Sequence, residues 1–206
     1  MINRLVFFGD SWTYGHGLSD CNGVITPAPS LLGWAPTVSR ILNYNYVNLA
    51  SPGNSNQGIF FDIRRAQLTN EDLIIVQWSY TFRDMLINND GTVRHIRPKD
   101  IDSVAYYDIH SDADILRRNV LTIEHTALWL NNQGLKWIFF SNYNIPWCER
   151  IIDGNENIIW MLNKKDLADD NVHPGIKTNN DWADIVIKKI ISMDLTTDRI
   201  VHTKIK

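Results

Sequence analysis

The chain has 206 residues, room for one domain and little for two at roughly 100–200 residues per domain. Apolar residues make up 44% of it, and 20 basic against 23 acidic side chains leave a net charge of −3. This balance excludes a disordered chain and lacks the basic footprint of a nucleic-acid binder. Two cysteines, Cys21 and Cys148, form neither a disulfide scaffold nor a metal-ligand spacing. No run of about 18 apolar residues exists, so no membrane-spanning helix and no membrane partner are expected. The N-terminal apolar run is too short for a secretory signal. The expectation is a cytoplasmic protein, and the Asn-rich composition suits a bacterial or phage setting.

In chain order, Leu5 to Phe8 ends at Gly9 and reads as a buried strand. Gly15 to Pro29 is a long loop. Trp34 to Leu42 has apolar residues at helical spacing, stopped by Asn43. Tyr46 to Leu49 is a second strand, closed by Ser51-Pro52-Gly53, and Asn56 to Leu68 a second helix. Leu73 to Trp78 is apolar almost throughout, as a central parallel strand should be. Asp90-Gly91, between the β-prone runs of 85–93, signals a hairpin. It opens an insertion over about 85–112. Asp114 to Leu130 is a long amphipathic helix, with Gly134 suited to its end. Lys136 to Ser141 is a fourth strand and Ile158 to Leu162 a short fifth. Trp182 to Ile191 is the last helix, with Asn180 or Asp181 as its cap. Residues 195–206 read as a tail after one domain over 1–194.

Strands alternating with helices predict a three-layer α/β/α sandwich around a parallel sheet of about five strands. In such sheets ligands bind beyond the carboxyl ends of the strands. Chemistry is therefore expected after residues 8, 49, 77 and 141.

Directly after the first strand stands Gly9-Asp10-Ser11-Trp12. A serine in such a turn is either satisfying its own backbone or poised as a nucleophile. Near the far end lies Asp170-Asn171-Val172-His173-Pro174. An imidazole can accept a serine proton at neutral pH, and a carboxylate three residues earlier can orient its ring. Taken alone, that pair is most often a loop Asp and a surface His, and only seldom a metal site. After the second strand comes Asn48-Leu49-Ala50-Ser51-Pro52-Gly53, a turn whose glycine lets backbone approach a ligand. His16, His95, His110, His125 and His202 are expected at the surface, and nothing marks Cys148 as reactive.

Taken in order, Gly9-Asp10-Ser11, Trp34-Ala35-Pro36, Val47-Asn48-Leu49-Ala50 to Gly53, and Asp170 to Pro174 resemble the SGNH (GDSL-type) hydrolases over most of the chain. The resemblance implies a flavodoxin-like fold and carboxylic ester hydrolysis through an acyl-enzyme, with no metal and no cofactor. It implies Ser11 as nucleophile, His173 as base and Asp170 as its orienter. Ser11 and Gly53 become backbone oxyanion donors. The third family block, Gly-x-Asn-Asp, is replaced here by Gln77-Trp78-Ser79-Tyr80. Ser79 falls where the oxyanion Asn belongs, with Gln77 as the other choice. Trp12, Asn54, Trp78 and Arg83 are expected to line the substrate pocket, Arg83 suiting an anionic group.

The substrate expected is a small or carbohydrate-linked ester, such as a sugar O-acetyl ester, because Trp12, Trp34, Trp78 and Trp147 fall near the same edge. An indole face stacks well on a sugar. Two other readings stay open. One is a non-catalytic binding or virion-associated module that keeps the fold, and the other is acyl transfer or cleavage of a phosphorus ester on the same scaffold.

Overall fold

The computed structural model describes residues 2–21, 28–98, 100, 103–141, 158–160 and 164–193. In chain order its elements are β1 (Arg4–Phe8), α1 (Ser11–Tyr14), α2 (Trp34–Leu42), β2 (Asn45–Asn48) and α3 (Asn56–Arg65). They continue with β3 (Asp72–Trp78), β4 (Asp84–Ile87), β5 (Val93–Ile96), α4 (Val104–Ile109) and α5 (Asp112–Asn132). β6 (Lys136–Ser141), β7 (Ile158–Trp160) and α6 (Ile176–Ser192) complete the set.

Five strands form one sheet in the order β2-β1-β3-β6-β7, and every pairing in it is parallel. The central strand β3 is buried at all seven positions, as its apolar run requires. Alternate side chains of the strands serve two separate cores. Leu5, Phe7, Ile75 and Phe140 pack against α2 and α6 through Trp34, Val38, Trp182 and Ile190. Val6, Phe8, Val76 and Phe139 pack against α3 and α5 through Ile59, Ile63 and Ile123. The three-layer sandwich read from the alternation of strands and helices is the architecture observed.

Element ends differ from the sequence reading where a tertiary partner intervenes. α6 begins at Ile176 and not near Trp182, because the Asp166 carboxylate accepts the Lys177 and Thr178 amides at 2.9 and 2.8 Å. That distant carboxylate caps a helix whose own N-cap, Gly175, has no side chain to do so. The second helix stops at Arg65, short of Leu68. Within the insertion, β4 and β5 pair antiparallel around Asn88 to Thr92, as the Asp90-Gly91 signal predicts, but a further short helix, α4, follows. Ile96, Tyr106 and Ile115 form a small core of their own beneath the hairpin. Asp84 secures it by accepting the Tyr106 hydroxyl and pairing with Arg118 Nη1 at 2.9 Å. Among the described residues no helix is long and apolar enough to cross a membrane. Residues 195–206, read as a tail, and Trp147 and Cys148 lie outside the described residues.

Candidate active site

The first strand ends at Phe8, and the chain turns at once into α1, whose first residue is Ser11. Asp10 caps that helix, its Oδ1 accepting the Trp12 amide at 3.0 Å. As the first helical residue, Ser11 has an N–H without an intrahelical acceptor, so it points a free donor out of the turn. Its side chain is buried, with 4% of the residue exposed.

The Asp170–His173 segment is an Asx-type turn. Asp170 Oδ1 accepts the Val172 and His173 amides, both at 2.9 Å, while Asn171 takes a left-handed φ of 56°. The turn swings the imidazole back onto the same carboxylate, with His173 Nδ1 2.5 Å from Asp170 Oδ2. The other ring nitrogen, Nε2, lies 3.0 Å from Ser11 Oγ. Residues 162 positions apart are thus joined in one Ser–His–Asp line. Burial acts to raise the Asp170 pKa, but the His173 and Val172 amides and the His173 ring outweigh it and hold the carboxyl at about 2. A carboxylate ionised at all working pH values keeps the Nδ1 proton, and Nε2 is left to accept from the serine.

Gly17 locks this turn to the nucleophile's own loop. Its φ is +86°, its carbonyl accepts the Asp169 amide at 3.1 Å, and a Cβ there would sit 2.5 Å from Asp170 Oδ2. His16, expected at the surface, instead stands edge-on to His173 with ring centroids 4.9 Å apart. One ligand atom each from His16, Asp170 and His173 lie within 4.8 Å of one another. A cation held there would have to displace the His173–Asp170 hydrogen bond.

The third block is rebuilt around Asp10. Ser79 Oγ donates to Asp10 Oδ2 at 2.9 Å, and Arg83 Nη1 donates to both, at 2.8 Å to Asp10 and 2.9 Å to Ser79. The Ser79 hydroxyl proton is therefore engaged by a buried carboxylate, not offered to an oxyanion. The Gln77 side chain is likewise turned inward, accepting from Thr13 Oγ1 at 2.5 Å. Arg83, read as suiting an anionic group, pairs with Asp10. Trp78 and Trp34 are core residues, 2% and 0% exposed. Trp12 is half-buried and stacks on Trp182 at 5.5 Å. Asn54 is buried with its amide on Asp62 at 2.8 Å.

The Gly53 turn flanks Ser11. The Ser51 amide donates to the Gly9 carbonyl at 3.1 Å, and Asn48 Nδ2 donates to the Thr13 carbonyl at 2.8 Å. Beside this turn, between α3 and the hairpin, opens a cavity of about 420 Å³ lined by Asn54, Asp62, His95, Phe61 and Met85. Here too a histidine expected at the surface is half-buried. Desolvation lowers the His95 pKa, with Arg97 adding to it, while burial raises that of Asp62. No sequence motif announced His16, His95 or Arg97 as members of this edge, since the insertion and the loop after α1 deliver them by folding.

No family model matches the sequence, and no curated protein matches it. Solved structures do. An acetyl xylan esterase from the rumen bacterium Butyrivibrio proteoclasticus superposes with a TM-score of 0.60 over 93% of this chain, at 14% identity. The chain spans 64% of that protein's length. TesA gives 0.60 over 93% of this chain and 99% of its own, at 12% identity. A protein of Desulfitobacterium hafniense described as lipolytic and of the G-D-S-L family gives 0.56 over 91% and 99%, at 14% identity. Likeness at these identities is a likeness of architecture, and by it the chain has the SGNH (GDSL-type) hydrolase fold.

Proposed function

We propose that the chain is a serine hydrolase that cleaves carboxylic esters through an acyl-enzyme. The observation that carries this reading is the continuous Ser11–His173–Asp170 line, at 3.0 and 2.5 Å. In the first half-reaction His173 Nε2 takes the Ser11 hydroxyl proton as Oγ adds to the ester carbonyl. The carbonyl oxygen becomes an oxyanion facing the Ser11 and Gly53 amides, whose N–H groups stabilise charge that exists only near the transition state. The tetrahedral species collapses, the alkoxide leaves with the proton from His173, and Ser11 is left acylated. Water then repeats the sequence, with His173 again as base and acid. Asp170 holds the ring and balances the imidazolium charge without itself taking a proton.

The substrate class that fits best is an acetyl ester of a sugar. Support comes from the acetyl xylan esterase among the structural neighbours and from the cavity beside the Gly53 turn. Its Asp62, His95 and Asn54 set polar groups against Phe61 and Met85, the mixture that sugar hydroxyls and ring faces require. A panel of acetylated sugars and aryl esters of increasing acyl length, run beside a fluorophosphonate label, tests the reading. Wild type should hydrolyse short acyl esters and take up the label, and Ser11→Ala should lose both. Labelling and turnover that survive Ser11→Ala would overturn it.

A further inference from the structure

Of the two side chains read for the third block, Ser79 Oγ is engaged by Asp10, while Gln77 accepts from Thr13 through Oε1 and has a buried Nε2 with no partner among the described residues. The hairpin brings a further donor from outside the sheet. Gly53, with a φ of +79°, carries the guanidinium of Arg97 against its Cα. A Cβ at that position would lie 2.0 Å from Arg97 Nη2, 2.6 Å from Cζ and 2.9 Å from Nε. Three guanidinium atoms therefore rest on the backbone of the turn that flanks Ser11. Only a glycine leaves space for them.

Arg97 also differs from Arg83 and Arg118. Arg83 is bound to Asp10 and Arg118 to Asp84, whereas among the described residues no carboxylate pairs with Arg97. The residue is exposed, and its backbone is held by Ser103 Oγ, which donates to the Arg97 carbonyl at 2.6 Å. A charged donor with no carboxylate partner among the described residues, anchored at its main chain and laid over the Gly53 turn, is arranged to meet negative charge arriving from a ligand.

We infer that Arg97 is a catalytic residue of this site, donating a charged hydrogen bond to the oxyanion that forms between the Ser11 and Gly53 amides. The inference rests on the ester-hydrolase reading above and names the group that completes it. The guanidinium exchanges no proton. It neutralises the charge that appears on the carbonyl oxygen as Ser11 adds and that disappears when the alcohol leaves. A guanidinium held in this way acts most when charge is fully developed, so its loss falls on turnover more than on ground-state affinity.

The test is steady-state kinetics of Arg97→Gln and Arg97→Lys on an uncharged aryl acetate, with fluorophosphonate labelling rates measured in parallel. Arg97→Gln should lower kcat by about 10²-fold, the usual cost of one oxyanion donor, with KM within about two-fold. Labelling should slow in step, because the phosphoryl oxygen of the probe occupies the same position. Arg97→Lys should keep part of the rate, since it keeps the charge and loses the fork. An unchanged kcat in Arg97→Gln overturns the inference while leaving the serine mechanism intact, provided Ser11→Ala is inactive. A rise in KM confined to anionic esters, with kcat preserved on the neutral one, also overturns it and reassigns Arg97 to substrate recognition. Absence of any Ser11-dependent turnover or labelling in wild type overturns both the inference and the reading beneath it.

Discussion

At the scale of single residues, the site is a statement about protonation. Two backbone amides and the imidazole outweigh burial and pull the Asp170 carboxyl down to about 2, so it is ionised throughout any working range. The sign of the pH dependence follows. His173 serves as base only when its Nε2 is unprotonated, so turnover is lost as acid protonates the ring and is regained as pH rises. Asp170, pulled down to about 2, adds no second step to that limb. The acid limb of the kcat/KM profile should therefore follow a single ionisation, and a limb of slope two would show that Asp170 titrates with the ring. Asp170→Asn keeps the shape of the side chain but can present its amide to Nδ1, which favours the tautomer with the proton on Nε2. Turnover should fall by about 10³–10⁴-fold, read as kcat on a short acyl ester. Ser11 and the Asp170–His173 pair were legible in the sequence, because each carries its chemistry in adjacent letters, Ser11 just past a strand end and His173 just before a helix. His16 and Arg97 were not. Their importance depends on contacts across the fold, with His173 and with Gly53, that no local spacing encodes.

At the scale of elements, the buried ion pair beneath α1 explains how the turn survives without the usual third block. Asp10 is 2% exposed and would be costly to leave charged and alone. Ser79 and Arg83 both come from the segment after β3, so the carboxyl ends of β1 and β3 are tied together at the nucleophile. Arg83→Gln removes the charge partner of a buried carboxylate and is expected to cost about 2–3 kcal/mol in urea unfolding. Ser79→Ala leaves Arg83 in place and should cost about 1 kcal/mol. A larger loss in Ser79→Ala than in Arg83→Gln would mean that the hydroxyl, more than the guanidinium, supports Asp10. The strands and the long helices were legible because apolar period and punctuation suffice for them. The start of α6 was not, since it is set by Asp166 reaching in from ten residues before the helix. The partner of the Ser79 hydroxyl was not legible for a related reason. Its place in the linear alignment is that of an oxyanion donor, yet a hydroxyl goes to the strongest acceptor within reach, and the fold puts the Asp10 carboxylate there.

At the scale of the whole molecule, the sheet divides the apolar interior into two cores that share only their backbone. Strand residues of one parity meet α2 and α6, and those of the other parity meet α3 and α5. The candidate site lies at the edge of both. Ser11 follows a strand common to the two faces, His173 precedes α6 on one face, and the Gly53 turn leads into α3 on the other. If the sheet is stiff, strain introduced in one core should not be felt in the other. Ile190 on α6 and Ile63 on α3 are both fully buried, one in each core. Ile190→Val and Ile63→Val should each destabilise by about 0.5–1.5 kcal/mol, through the loss of one methylene. The double variant should lose the sum of the two within about 0.5 kcal/mol, measured as the shift in urea midpoint at constant m-value. A coupling above about 1 kcal/mol would show that the sheet transmits packing strain from one face to the other. In that case the edge that joins His173 to the Gly53 turn would respond to both cores together.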